Sequence, residues 1–204
     1  MSKKGMLLII SGPSGSGKGT LAKMLDPSRG YAISISYTSR AKREYETDGK
    51  EYFFCTPEKF IEMRNNGELL EHAIFCDNYY GTPKSYVESQ INEGKVVVLE
   101  IDVIGALQIK EKFNDAVLLF LMPPTIKELE ERLTNRNTES PKSLRARLKR
   151  ATEEVNLIDK YEYLVINDEV SEALEKINSI VQAELAKPHR NETVIKNFFK
   201  GDEK

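Results

Sequence analysis

Ser11-Gly12-Pro13-Ser14-Gly15-Ser16-Gly17-Lys18-Gly19-Thr20 follows directly on the apolar run Met6-Leu7-Leu8-Ile9-Ile10. A buried strand that runs into a glycine-rich turn, then a lysine, then a helix is a cradle for nucleotide phosphates. The glycines allow backbone angles that a Cβ would forbid. Their N–H groups can then turn toward an anion. The helix that begins near Lys18 aims its positive end at the same point, and Lys18 adds a full charge. The chemistry implied is the binding of a nucleoside triphosphate.

The common form of this loop has Ser or Thr directly after the lysine, to meet a magnesium ion. Gly19 stands there, and Thr20 follows it. The metal is then left to phosphate oxygens and water near Thr20 and Asp102, as magnesium tolerates. No protein residue is expected to ligate it directly.

Phosphoryl transfer needs charge neutralisation, alignment and exclusion of water more than covalent help. Positive charge comes in three groups: Lys18; Arg40 and Arg43; and Arg132, Arg136, Arg145, Arg147 and Arg150. A guanidinium can hold two phosphate oxygens at once. Arg145 and Arg150 read as a solvated helix face paired with Glu153 or Glu154. Arg136 falls in a loop, which favours a phosphate.

Thirty basic and 32 acidic side chains nearly cancel, which argues against a general polyanion binder such as a nucleic-acid protein. Two cysteines, Cys55 and Cys76, do not make a disulfide framework, and both read as reduced thiols of a cytoplasmic protein. His72 and His189 show no ligand spacing with them. No apolar run approaches the length of a membrane span.

The elements that must position these residues follow from hydrophobic patterning. Met6–Ile10, Val96–Ile101, Val117–Leu121 and Tyr163–Ile166 read as strands buried on both faces, with Tyr31–Ser36 a weaker one. Helices are expected at Lys18–Leu25, Ile104–Phe113, Ile126–Leu133, Leu144–Lys160 and Val170–Ala186. The alternation predicts an α/β fold, a three-layer sandwich with a central parallel sheet. In such folds the ligand lies beyond the carboxyl ends of the strands, where the glycine loop and Asp102 both fall. Residues 1–36, 91–133 and 149–187 would form this core. Residues 37–90 read as a small mixed α/β insertion and 134–148 as a mobile lid. The polar tail, 188–204, is expected to fray, with Val194-Ile195 and Phe198-Phe199 available for a short helix.

The whole arrangement resembles guanylate kinase, a P-loop nucleoside monophosphate kinase, over nearly the full chain to about Lys187. The resemblance rests on Ser11–Thr20, on Ser36-Tyr37-Thr38-Ser39-Arg40 with Arg43, and on Asp48-Gly49-Lys50-Glu51-Tyr52. It continues through Glu68–Ala73, Asn78-Tyr79-Tyr80-Gly81-Thr82, Leu99-Glu100-Ile101-Asp102, Pro123-Pro124, Arg136-Asn137-Thr138-Glu139 and Val165–Asp168. Ile104 stands where the family often has Gln, Glu100 replaces an Asp, and Asn137 stands where Gly is frequent.

The resemblance implies transfer of the γ-phosphoryl group of ATP, with magnesium, to GMP and dGMP, giving ADP and GDP. It assigns Gly12, Pro13, Ser14, Gly15, Ser16, Gly17, Lys18, Gly19, Thr20 and Asn167 to ATP. Ser36, Glu71, Thr82 and Asp102 would meet guanine, whose N–H donors suit a carboxylate and whose O6 suits a hydroxyl. Arg40, Arg43, Tyr52 and Tyr80 would clamp the monophosphate. Arg136 and Arg147 would close from the lid, so that Lys18, Arg40, Arg43, Arg136 and Arg147 carry the reaction. No partner beyond nucleotides is implied, with the chain a monomer or homodimer. Two rival readings remain: a kinase for another small phosphorylated acceptor, and a non-catalytic relative that binds phosphorylated peptides.

Overall fold

The computed structural model describes residues 4–75, 77–135 and 141–200. Cys76, Arg136 and Asn137 lie outside them. In chain order the elements are β1 (Met6–Ser11), α1 (Lys18–Met24), β2 (Tyr31–Ile33), β3 (Tyr37–Thr38), β4 (Phe53–Phe54), α2 (Pro57–Asn65), β5 (Leu69–Phe75), β6 (Asn78–Pro83) and α3 (Lys84–Asn92). They continue with β7 (Val96–Glu100), α4 (Val103–Lys112), β8 (Val117–Met122), α5 (Ile126–Thr134), α6 (Pro141–Val155), β9 (Tyr163–Ile166), α7 (Val170–Leu185) and α8 (Glu192–Lys200).

The core is a parallel sheet in the order β2-β7-β1-β8-β9. Its strands alternate between two apolar layers, as the period of a strand requires. Met6, Leu8 and Ile10 of β1 pack with Leu21, Ile177 and Val181 on one face. Leu7 and Ile9 pack with Val87, Ala106 and Ile109 on the other. Burial on both sides explains why β1, β7 and β8 read as unbroken apolar runs.

Two expectations need correction. Tyr163–Ile166 is an edge strand, and Leu164 is 49% exposed, so it is not buried on both faces. The run Tyr31–Ser36 does not form one strand. It stops at Ile33, and the chain re-enters strand structure at Tyr37 in a second sheet.

That second sheet has the order β4-β3-β6-β5, with β3 antiparallel to β6 and parallel to β4. Gly81 at its centre leaves no room for a side chain, since a Cβ would come within 2.9 Å of Leu69 and Phe60. This sheet and α2 lie in the chain between the core strands β2 and β7. Helix starts follow local chemistry: Thr56, Asp102 and Thr125 accept from backbone N–H groups as N-caps of α2, α4 and α5. Of the expected lid, 134–148, the described residues are Thr134 and Asn135 at the end of α5 and the first half of α6. That helix packs Leu144, Leu148 and Ala151 on Leu129 and Leu133 of α5. The tail differs from a frayed segment: α8 runs to Lys200, and just before it buried Arg190 bonds Asp115 at 2.9 Å. Among the described residues no helix is long and apolar enough to cross a membrane.

Candidate active site

The register of the core sheet creates the site. Ile10 of β1 lies beside Glu100 of β7, so the glycine loop and the Glu100–Asp102 segment leave the sheet next to each other. The second sheet and α6 close over this edge, and a cleft of ≈ 1020 Å³ lies between them. That is at the upper end of small-molecule pockets.

The loop is shaped by its backbone. Gly12, Gly15 and Gly17 have φ of 136°, 93° and 94°. A Cβ on Gly12 would stand 2.1 Å from the carbonyl oxygen of Leu121, and one on Gly17 would stand 2.3 Å from Nδ2 of Asn167. Asn167 is 3% exposed and its Nδ2 donates to the Ser16 carbonyl at 2.8 Å. Arg132 donates in turn to the Asn167 carbonyl at 2.9 Å. Lys18 Nζ donates to the carbonyls of Gly12 and Pro13 at 2.7 and 3.0 Å. Gly19 has its own reason: a Cβ there would lie 3.0 and 3.2 Å from the carboxylate oxygens of Glu100. The Ser or Thr of the common loop would press on that acid.

Arg147 of α6 reaches this loop, donating from Nη1 to Ser14 Oγ at 2.7 Å. Arg150, one turn on, donates to Asp102 Oδ2 at 3.1 Å and from Nε to Glu154 Oε1 at 2.9 Å. The expected pair with Glu154 is present, but Arg150 is not merely a solvated face, because it also lines the cleft and binds the strand end. Glu154 is 8% exposed, and burial pushes its carboxyl up against the opposing pull of Arg150 and Lys18.

The far wall belongs to the second sheet. Arg40 forms a two-point pair with Glu46, at 3.0 and 2.7 Å, while its guanidinium faces the rings of Tyr52 and Phe54. Glu46 is 5% exposed and also accepts from the Arg43 backbone N–H at 2.8 Å. The Arg40 bond holds the Glu46 carboxyl below its ordinary range, and Glu46 raises Arg40 in return. Tyr52 and Tyr80 meet edge to face at 5.8 Å. Burial, with the Glu100 charge, pushes the Tyr52 phenol up to about 12.

Glu71 is buried and accepts from Thr82 Oγ1 at 2.7 Å. Its other oxygen and Asp102 Oδ1 converge on Gly105, whose N–H caps onto Asp102 at 2.8 Å. Burial raises the Glu71 carboxyl to about 7, the Asp102 charge adds to this, and the Thr82 bond opposes it.

The structure thus brings Gly12, Ser14, Gly15, Gly17, Lys18, Gly19, Ser36, Arg40, Arg43, Tyr52, Glu71, Tyr80, Asp102 and Arg147 to one cleft. Pro13, Ser16, Thr82 and Asn167 are buried behind it, and Thr20 is exposed outside its lining. Arg136 falls outside the described residues. Sequence reasoning missed three acids. Glu46 is legible only as a carboxylate three residues from Arg43 in a basic loop. Glu154 is legible only as the end of the Arg147, Arg150, Glu154 stripe at helical spacing. Glu100 reads in the sequence only as a substitution, and the room its carboxylate takes beside Gly19, where a Cβ would lie 3.0 Å from it, links two departures from the common pattern.

Comparison with known proteins gives a consistent result. A family model described as guanylate kinase matches residues 4–184. A guanylate kinase of Lactococcus lactis is 45% identical over 199 residues, covering 97% of this chain and 96% of its own. One of Caldanaerobacter subterraneus is 47% identical over 192 residues, with 94% and 93% covered. The crystal structure of guanylate kinase from Anaplasma phagocytophilum superimposes with a TM-score of 0.78 at 33% identity, covering 93% of this chain and 90% of that one.

Proposed function

Because the chain belongs to the guanylate kinase family, and so is an ATP:GMP phosphotransferase, we propose that this cleft performs the transfer with the following division of labour. ATP lies on the glycine loop, where Lys18 exchanges its bonds to Gly12 and Pro13 for phosphate oxygens. Asn167 serves ATP from behind, by holding the Ser16 carbonyl and so the shape of the loop. Arg147, already at Ser14, moves onto the phosphates, and Arg136 joins it from the lid.

GMP lies against the second sheet. Arg40, Arg43, Tyr52 and Tyr80 take its phosphate. Glu71 and Asp102 accept from the N–H groups of the base, and Ser36 donates to O6. Thr82 is reassigned from base contact to orienting group, since its hydroxyl hydrogen is committed to Glu71. Adenine offers the opposite polarity at this edge and would leave buried groups unpaired.

The acceptor phosphate has a second pKa of about 6 and is largely a dianion at neutral pH, so no general base is needed. The difficulty is bringing two anions together. Lys18, Arg40, Arg43, Arg136 and Arg147 converge on them from separate parts of the chain. Magnesium suits this site as a companion of ATP. It would supply charge neutralisation at the phosphates. Glu100, whose carboxylate lines the cleft near Gly19, would help hold its water shell, whereas Thr20 is exposed outside the cleft lining. Closure of the second sheet and α6 over the core would exclude water. The near-neutral charge and the free thiol of Cys55 suit the cytoplasm.

One observation carries this reading: a single cleft joins Lys18 and Asp102 at the edge of the core sheet to Glu71 and Arg40 of the second sheet. Initial rates with ATP and matched concentrations of GMP, AMP and CMP test it. A large preference for GMP is expected, and equal rates with AMP would remove the assigned base contacts.

A further inference from the structure

Arg147 and Arg150 stand one turn apart on α6 and fasten that helix to different parts of the site. Arg147 is tied to the glycine loop through Ser14, and Arg150 to the end of β7 through Asp102. Asp102 has each oxygen engaged: Oδ1 by the Gly105 N–H and Oδ2 by Arg150. A purine that donates N–H groups to Asp102 therefore meets a guanidinium already bonded to Oδ2.

Arg150 can yield that position at low cost. The side chains of Arg150 and Asp102 are 37% and 29% exposed, so the pair is half solvated and weak. Its charge would not be stranded, because Nε keeps Glu154, whose side chain is only 11% exposed. One carboxylate is displaceable and the other is an anchor.

We propose that Arg150 is a positioning residue that competes with GMP for Asp102. The base of GMP enters by exchanging its N–H donors for the guanidinium, and the exchange releases α6 from the end of β7. Arrival of the acceptor thereby loosens one tie of the helix that carries Arg147, while its bond to Ser14 and its packing on α5 remain. This rests on the reading that Asp102 meets the acceptor base.

Calorimetric titration with GMP alone, on wild type, Arg150→Gln, Arg150→Lys and Glu71→Ala, tests both layers separately. Removal of the competitor should make Arg150→Gln bind GMP about two- to fivefold tighter. Its KM for GMP should fall by a similar factor with the KM for ATP unchanged. Structural damage would not produce a gain in acceptor affinity. Arg150→Lys keeps one charged donor but not the two-armed geometry, so it should gain by a smaller factor. Should Arg150→Gln fail to fold by circular dichroism, Arg150→Lys decides. Unchanged or weaker GMP binding in a folded Arg150 variant, while Glu71→Ala weakens it, overturns the competition and leaves the site reading intact. GMP binding that is indifferent to Glu71→Ala overturns the site reading, and the competition with it.

Discussion

At the donor side of the cleft the chain relies on backbone, and at the acceptor side on paired side chains. Gly12, Gly15 and Gly17 turn the loop through positive φ, and Leu121 and Asn167 press on it so closely that no Cβ fits at Gly12 or Gly17. Its shape is fixed by covalent geometry and packing. Across the cleft Arg40 is held by Glu46 and Glu71 by Thr82, and at the core edge that faces them Asp102 is held by Arg150. Each acceptor group already has a partner of complementary charge or polarity. The backbone of the donor loop is therefore preformed, with Lys18 alone trading two loop carbonyls for phosphate, whereas the acceptor site is built of side chains that neutralise one another and must trade partners to bind. Specificity for a base belongs on the second kind of wall, because a ligand with the wrong donors cannot pay back the bonds it breaks.

The largest expected effect lies on the preformed side. Lys18→Ala should lower kcat/KM by about 10³-fold, the scale of losing one fixed charge at a transferring phosphoryl group. Its bonds to the carbonyls of Gly12 and Pro13 brace a loop whose shape backbone packing already sets, so thermal unfolding should shift little. Steady-state rates beside a melting curve check this. Near-normal turnover in the folded variant would remove the donor site and with it the contrast.

Glu46→Ala probes the other wall and should act more gently. Without its two-point partner, Arg40 loses the geometry in which Tyr52 and Phe54 face it. The KM for GMP should rise about tenfold, roughly one charge-assisted hydrogen bond, with the KM for ATP unchanged. Kinetics at fixed saturating ATP measure it. A fall in the KM for GMP would instead class Glu46 with Arg150 as a competitor rather than an aligner, and would sharpen the comparison in the opposite direction.

The same contrast governs what the sequence makes legible. The donor loop is contiguous, and its glycines and lysine have one chemistry in common, so Gly12 to Lys18 can be read from their order alone. The parallel core is legible too, because burial on both faces writes β1, β7 and β8 as unbroken apolar runs. The edge strand β9 misleads, since Leu164 is apolar yet faces solvent. The acceptor side is assembled from separate segments, and its meaning lies in pairs: Asp102 with Arg150 is 48 positions apart, and Glu71 with Thr82 is 11 apart. No spacing rule along the chain announces such a pair. Resemblance to a family supplies the residues of that wall, but not the partners that occupy them.

The smallest effect is the most direct measure of the acceptor wall, because it reads Glu71 without any ligand. Burial raises its carboxyl from the ordinary 4.5 to about 7, with the Asp102 charge adding to the shift. Between those two values the folded chain keeps a proton that the unfolded chain has released. The stability this provides is complete below the ordinary value and is lost as pH rises through the folded one. Wild type should therefore lose stability relative to Glu71→Gln by at most about 1.4 kcal/mol per pH unit across this window, with no further loss above it. Denaturant unfolding of both proteins from pH 4.5 to 8 gives the curves. Parallel curves would mean that Glu71 ionises as freely as an exposed acid and is not the desolvated group that two N–H donors of guanine can complete. Divergent curves would mean that the acceptor wall is held short of its charged form by the fold itself. Guanine, by supplying the donors that stabilise the carboxylate, then draws the proton off as it binds.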